Sequence, residues 1–389
     1  MTVHEFRSRW ILPIAIFFGT FAWSFVYVSL PFYIQRISTV DEASTLRWTG
    51  WILGISNIVT VVTGPFWGRL AGQGNPKQLY VLVEVLQGVG FFLLALARTL
   101  PELFLARAVL GIMGAASTFA FIMAGRGGED VRRDVTAIQS ALTVGQVVGP
   151  LAGAVAAARI GFWQSFIAAG LILWGCGLLV WRGVPYRPGV RAHTEPARPA
   201  SIREVGTVCL LVLAGSTQVF FLTAILPQIL PPLGVAPADT LEIGGLIIFA
   251  TGIAAALGSM AAPRLADLVG DRRTVLWFLA GSSVLLASMS LAPGLWSFGT
   301  LRFLQVLCIA PIFPISVAAI AQRASGEAIG FVNSSRIGAA FLGPVIATTV
   351  LAVAPPAAVY LTLAACGLAV LPVLLGGFGR RGATEGSIS

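Results

Sequence analysis

Twelve long apolar runs follow one another along the chain, each cut from the next by a short polar or Gly- and Pro-rich stretch. They lie at approximately 11–35, 47–70, 79–97, 102–124, 137–158, 161–181, 205–230, 242–262, 274–293, 296–321, 328–353 and 357–377. A bilayer core about 30 Å thick takes roughly 20 apolar residues of helix at 1.5 Å each. Each run meets that length. None alternates apolar and polar residues as a barrel strand does. Backbone groups in lipid must find partners within their own segment, so each run predicts a spanning helix. The first run follows FRSRW and extends from Ile11 to about Ile34. It exceeds the roughly 7–15 residues of a signal-peptide core and has no small-x-small site after it, so it is expected to be a span.

The polar breaks set the orientation. With the N-terminus inside, cytoplasmic segments hold 18 Arg and Lys residues, among them Arg69, Lys77, Arg264, Arg272 and Arg273. Outer segments hold four: Arg36, Arg47, Arg98 and Arg159. This follows the positive-inside rule, and moving one span would scramble the split. The longest internal hydrophilic stretch, PYRPGVRAHTEPARPASIRE at 185–204, carries four prolines and four arginines. It is expected to be a cytoplasmic linker between an N-terminal six-helix bundle, 1–184, and a C-terminal one, 205–389.

Composition supports a membrane protein. Only 11% of the 389 residues are charged and 57% are hydrophobic, with mean hydropathy +0.87. A soluble domain carries about 25% charged residues. The net charge of +9 is therefore read as topology, not as affinity for nucleic acid. Cys176, Cys209, Cys308 and Cys366 all lie in apolar runs and read as small hydrophobes. His4 and His193 are isolated, so neither a metal nor a cofactor is expected.

The two halves repeat. Gly19 and Leu30-Pro31 align with Gly215 and Leu226-Pro227. Arg69-Leu70-Ala71 aligns with Arg264-Leu265-Ala266, and Arg107 with Arg302. Gln139-Ser140 and Gly149-Pro150 align with Asn333-Ser334 and Gly343-Pro344. The offsets are 196, 195, 195 and 194. Six spans per copy is even, so the copies are parallel, and such pairs place a binding site between them near mid-membrane. The fold class is an all-α polytopic membrane protein of 12 transmembrane helices in two parallel six-helix repeats.

Three motifs carry a family resemblance. PFWGRLAGQGNPK at 65–77, echoed by APRLADLVGDRR at 262–273, resembles the loop signature of the major facilitator superfamily. RAVLGIMGA at 107–115 resembles its fourth-helix signature. GQVVGPLAG at 145–153 resembles the fifth-helix signature of drug:proton antiporters. Over essentially its whole length the chain looks like a twelve-helix member, near the MdtG-like multidrug exporters. The resemblance implies alternating access, a central pathway lined at the position of Arg107, and exchange with protons. It also implies an outward-state latch in which the loop Asp meets a facing helix N-terminus. The first copy has Gly72 where the family has Asp. The second keeps Asp267 with Gly270, Arg272 and Arg273, so Asp267 is expected to be the surviving latch, facing the start of the fifth helix. Gly68 and Arg69 belong to the same motif.

Arg inside a span costs roughly 2.5–3.5 kcal/mol on insertion scales, so Arg107, Arg302 and Arg336 should face a cavity or a partner, or snorkel to a headgroup. Glu84 is the only acid deep in a predicted span. Acids there mark proton pathways. The alternatives are pairing with a cytoplasmic-side Arg or snorkelling inward. Drug antiporters often carry an acid in the first helix, and FFGTFAWSFVYVSLPFY carries none, which bears on proton coupling. Three Arg against one Glu favour anionic substrates on Coulomb grounds. Gly145, Gly149 and Gly153 recur every four residues beside Pro150, and Gly343-Pro344 repeats the pair. Such a face packs closely, here expected against the other half. Trp23, Tyr27, Gln146, Gln218 and Phe221 are candidate cavity residues, or interhelical contacts.

The expected function is secondary active export of small amphipathic compounds, in exchange for protons, by a monomer in a bacterial inner membrane with both termini cytoplasmic. The partners are a small-molecule substrate, protons and the bilayer. Uptake or facilitated diffusion of a metabolite by the same fold is the alternative. A membrane enzyme or sensor is the remote third reading, since no cluster of catalytic side chains lies at a membrane face.

Overall fold

The computed structural model describes residues 3–114, 116–125, 131–185, 201–321 and 326–377. Most of the linker, with His193, lies outside the described residues. Twelve helices are long and apolar enough to span a bilayer: α1 Trp10–Ile37, α2 Glu42–Ala71, α3 Pro76–Leu96, α4 Leu100–Ala124, α5 Arg133–Ile160, α6 Phe162–Gly183, α7 Ile202–Ile229, α8 Thr240–Val269, α9 Asp271–Leu291, α10 Leu295–Ala318, α11 Gly330–Leu351 and α12 Pro356–Val373. No strand occurs among the described residues. Several helices run past the apolar runs that predicted them, because capped polar turns extend them.

The caps are legible residue by residue. Asp41 accepts from the Ser44 amide at 2.9 Å to open α2, and hydrogen bonds from Ser44 hold its carboxyl below the usual carboxylate range. Thr99 with Glu102 opens α4, and Ser201 with Glu204 opens α7, both as capping boxes. The α2–α3 turn, at the centre of PFWGRLAGQGNPK, closes on Asn75, whose side chain accepts from the amides of Lys77 and Gln78, with Pro76 in the first helical turn. The matching α8–α9 turn uses Gly270 at φ +87°, a conformation that suits glycine. The two turns sit at the same place in the repeat but are built from different chemistry.

Three spans are interrupted. α4 breaks after Ile112 and resumes at Ala116, α7 breaks at Phe221, and α10 breaks between Ile309 and Ile312. The chain divides into two compact units. One comprises Met1–His193 with Thr223–Gly252, and the other comprises Thr194–Leu222 with Ile253–Ser389. In the first, Tyr80, Val83, Phe119, Ile138 and Val180 form the core. In the second, Leu211, Val275, Leu279, Val306 and Ile309 do.

Candidate functional site

Arg107 is 2% exposed. Its Nε donates to the Ile52 carbonyl at 3.2 Å and its Nη2 to the Leu53 carbonyl at 3.1 Å, both on α2. The guanidinium lies 5.6 Å from the Trp23 ring centre and 5.9 Å from that of Tyr27, on α1. These contacts suit a planar cation that is weakly hydrated. The side chain is thus held inside the bundle and does not reach for a headgroup.

Arg302 is 1% exposed and has a different set of partners. Nη1 donates to the Gln218 carbonyl at 2.8 Å and to Gln305 Oε1 at 2.6 Å, and Nη2 to the Val219 carbonyl at 2.6 Å. Its guanidinium stacks 5.1 Å from Phe221. These carbonyls stand where α7 breaks, so the cation sits at the C-terminal end of a helical segment, the negative end of its dipole. Around it Gln218 Nε2 donates to Ser283, the Ser282 hydroxyl donates to Gln218 Oε1 at 2.7 Å, and Gln305 Nε2 donates to Ser282 at 3.0 Å. Gln218 and Phe221 are enclosed by this network. Gln218 joins α7 to α9 and, through Gln305, to α10.

The first unit has a corresponding bridge. Trp23 Nε1 donates to Gln87 Oε1 at 2.7 Å, and Gln87 Nε2 donates to the Met113 carbonyl at 2.5 Å. Gln87 and Ser282 are 195 residues apart, so each half ties its first helix to its third at the same level. Three carbonyls at the α4 break are met by side chains. Thr60 donates to Gly111 at 2.8 Å, Trp67 to Ile112 at 2.5 Å and Gln87 to Met113. In lipid a break of this kind persists only when such partners are supplied. Neither the α4 break nor Gln87, Ser282, Ser283 and Gln305 was anticipated. The repeat register was the available signal for the two polar sites on α3 and α9.

The glycine face of α5 packs on α1 of its own half, which differs from the expected packing against the other half. A Cβ on Gly145 would stand 2.7 Å from the Phe17 carbonyl oxygen, and one on Gly149 would stand 2.8 Å from that of Phe21. A Cβ on Gly153 would overlap the Phe25 backbone. In the second unit, Gly343 brings α11 against α7, its Cβ position 3.1 Å from the Thr217 carbonyl oxygen. Pro150 and Pro344 lie inside α5 and α11. Gly252, on the part of α8 that belongs to the first unit, closes on Val147 at 3.2 Å from its Cα.

Glu84 is 2% exposed on α3. It neither snorkels nor pairs with a cation among the described residues. Arg336 on α11 is half-buried, with its guanidinium 4.8 Å from the Phe313 ring and no hydrogen-bond or ion-pair partner among the described residues. Trp23 and Tyr27 are half-buried and Gln146 is exposed on α5. Asp267, Arg69, Gly68 and Arg273 are exposed near the helix ends, while Arg272 is half-buried. No group of three metal-ligating side chains occurs among the described residues.

The family model described as "Major Facilitator Superfamily" matches residues 12–236 and again 208–386. The chain belongs to the major facilitator superfamily. It is a multi-pass membrane transporter of that superfamily and not an enzyme. An "Uncharacterized MFS-type transporter YuxJ" of Bacillus subtilis is 24% identical over 86% of this chain and 88% of its own. A "Multidrug resistance protein MdtG" of Enterobacter lignolyticus is 25% identical over 84% and 81%. The crystal structure of the nucleoside transporter NupG shares the fold at TM-score 0.74 and 14% identity, covering 96% of this chain and 100% of that one. Arg107 and Arg302 are each held by backbone carbonyls of their own half. Among the described residues neither Arg336 nor Glu84 has backbone carbonyls holding it in this way.

Proposed function

We infer that this transporter exports small amphipathic compounds by alternating access, in exchange for protons. The observation that carries this reading is the set of relatives named "Multidrug resistance protein MdtG", 22–25% identical over 77–84% of this chain. The bundles 1–184 and 205–389 are its moving halves, joined by the linker 185–204. Both termini face the cytoplasm and the chain works as a monomer in the inner membrane. Trp23, Tyr27 and Gln146 supply aromatic and polar contacts to substrate. Arg336 supplies a cationic contact for an acidic group on it. Asp267, with Arg272, Arg273, Gly68 and Arg69 at the helix ends beside the two turns, holds one state of the cycle.

The test is reconstitution of the full chain into liposomes with two probes, ethidium and carboxyfluorescein, with and without an imposed pH gradient. The expected result is gradient-driven movement of at least one probe against its own gradient, abolished by a protonophore. Movement that only ever equilibrates a probe, or that runs in the proton's direction, overturns export by exchange in favour of facilitated diffusion or symport.

A further inference from the structure

We propose that the coupling proton of this transporter is carried by Glu84, in the packed interior between α1, α3 and α6. The proposal rests on the proton-exchange reading above and names its site.

The geometry gives the carboxyl a prepared place. Its Oε1 lies 3.3 Å from where a Cβ of Gly19 would stand on α1, and its own Cβ lies 3.5 Å from that of Gly177 on α6. Two glycines therefore make the room for one acid. Its titratable neighbours are the phenol of Tyr80, one turn earlier on α3, and the thiol of Cys176 on α6. α1 brings Gly19 against it. No charged side chain acts on the carboxyl among the described residues. Lys77, on the same helix, is turned to the Trp181 ring, and Arg107 on α4 is committed to the Ile52 and Leu53 carbonyls. The Tyr80 hydroxyl faces the Glu84 carboxyl closely enough to act on it but short of full hydrogen-bond geometry, and Glu84 Oε2 is buried with no other partner. Buried polar atoms are nearly always paired, and a native exception marks a functional group or an unseen water.

The second half shows that the bundle does not need this acid. At the offsets of their own helices, 195 for α3 and 194 for α6, Tyr80, Glu84 and Cys176 correspond to Val275, Leu279 and Val370. Those three lie together in the apolar core of the second unit, with Leu279 fully buried. The same position in the same fold is filled by hydrocarbon, so the carboxyl is not there for packing. An ionisable group at that depth is expensive and is retained for transport chemistry. The step is simple: the Glu84 carboxylate binds one proton from one side of the membrane, becomes a neutral acid, and releases the proton to the other side when α1 and α6 shift against α3.

Three variants of the full chain test this: Glu84→Gln, Glu84→Asp, and the graft Tyr80→Val/Glu84→Leu/Cys176→Val, whose side chains already pack in the repeat. In detergent, infrared difference spectra across a pH titration should show a carboxylic-acid carbonyl band that titrates in the wild type and is missing in Glu84→Gln. In proteoliposomes, Glu84→Gln and the graft should lose gradient-driven ethidium or carboxyfluorescein accumulation while counterflow of the same probe persists. Glu84→Asp should retain part of the accumulation. A wild type without the titrating band, or a Glu84→Gln protein that still accumulates probe against its gradient, overturns the proposal. A titrating Glu84 band in a wild type that shows no gradient-driven transport overturns the exchange reading instead and leaves Glu84 as a proton-binding site.

Discussion

Arg107 and Arg302 are repeat mates, yet each closes a different gap. One guanidinium is spent on α2 carbonyls and the other on the carbonyls exposed where α7 breaks. Leaving a buried polar group without its partner costs about 1–3 kcal/mol. Arg302→Leu strands the Gln218 and Val219 carbonyls and Gln305 Oε1, and should lower unfolding free energy by at least about 2 kcal/mol on that scale. Reversible unfolding in mixed detergent micelles, followed by Trp fluorescence, checks it. Arg302→Lys should recover less than half of the loss, because a single ammonium cannot span the carbonyl pair as a planar fork does. The existence of these charges was legible from the sequence, since an Arg in an apolar run stands out. Their partners were not, because backbone carbonyls carry no sequence signature and the α7 break has no proline at Phe221 to announce it.

At the scale of helices, the spacing of glycines on α5 correctly announced a close approach but not its partner. Periodicity says which residues share a face, and only the packing says what that face meets. Gly149→Ala would press a methyl against Ser24 and the Phe21 carbonyl of α1. Overpacking of this kind costs typically 1–3 kcal/mol, so the variant should unfold at correspondingly lower denaturant in the same micelle assay. Gly175→Ala on α6, where a Cβ meets nothing within 4 Å, is the control. It should be neutral or more stable by about 0.5–1 kcal/mol, since glycine is the weaker helix former. Equal losses for both variants would show that α5 and α1 are not in tight contact.

For the whole molecule, twelve spans and the asymmetric distribution of Arg predict that both termini lie on one side. Cysteine tags at residue 2 and at residue 388 should react together with a membrane-impermeant maleimide only in inverted vesicles, and reaction from opposite sides would refute the topology. Asp267→Asn removes the carboxylate that stands where the first copy has Gly72. Pairwise spin-label distances between the halves should shift toward the inward-open population, while unchanged distances would dismiss the latch. The parallel duplication was legible at this scale because four motifs kept register across about 195 residues. What register could not reveal is how unlike the copies have become. The interruption of α4 falls on Met113 and Gly114, residues whose amides could all rejoin a regular helix, and it is held open by Thr60, Trp67 and Gln87 reaching in from α2 and α3. The interruption of α10 contains Pro311, which has no amide to return. One half therefore owns an elbow that can straighten whenever its neighbours let go, and the other an elbow set for good.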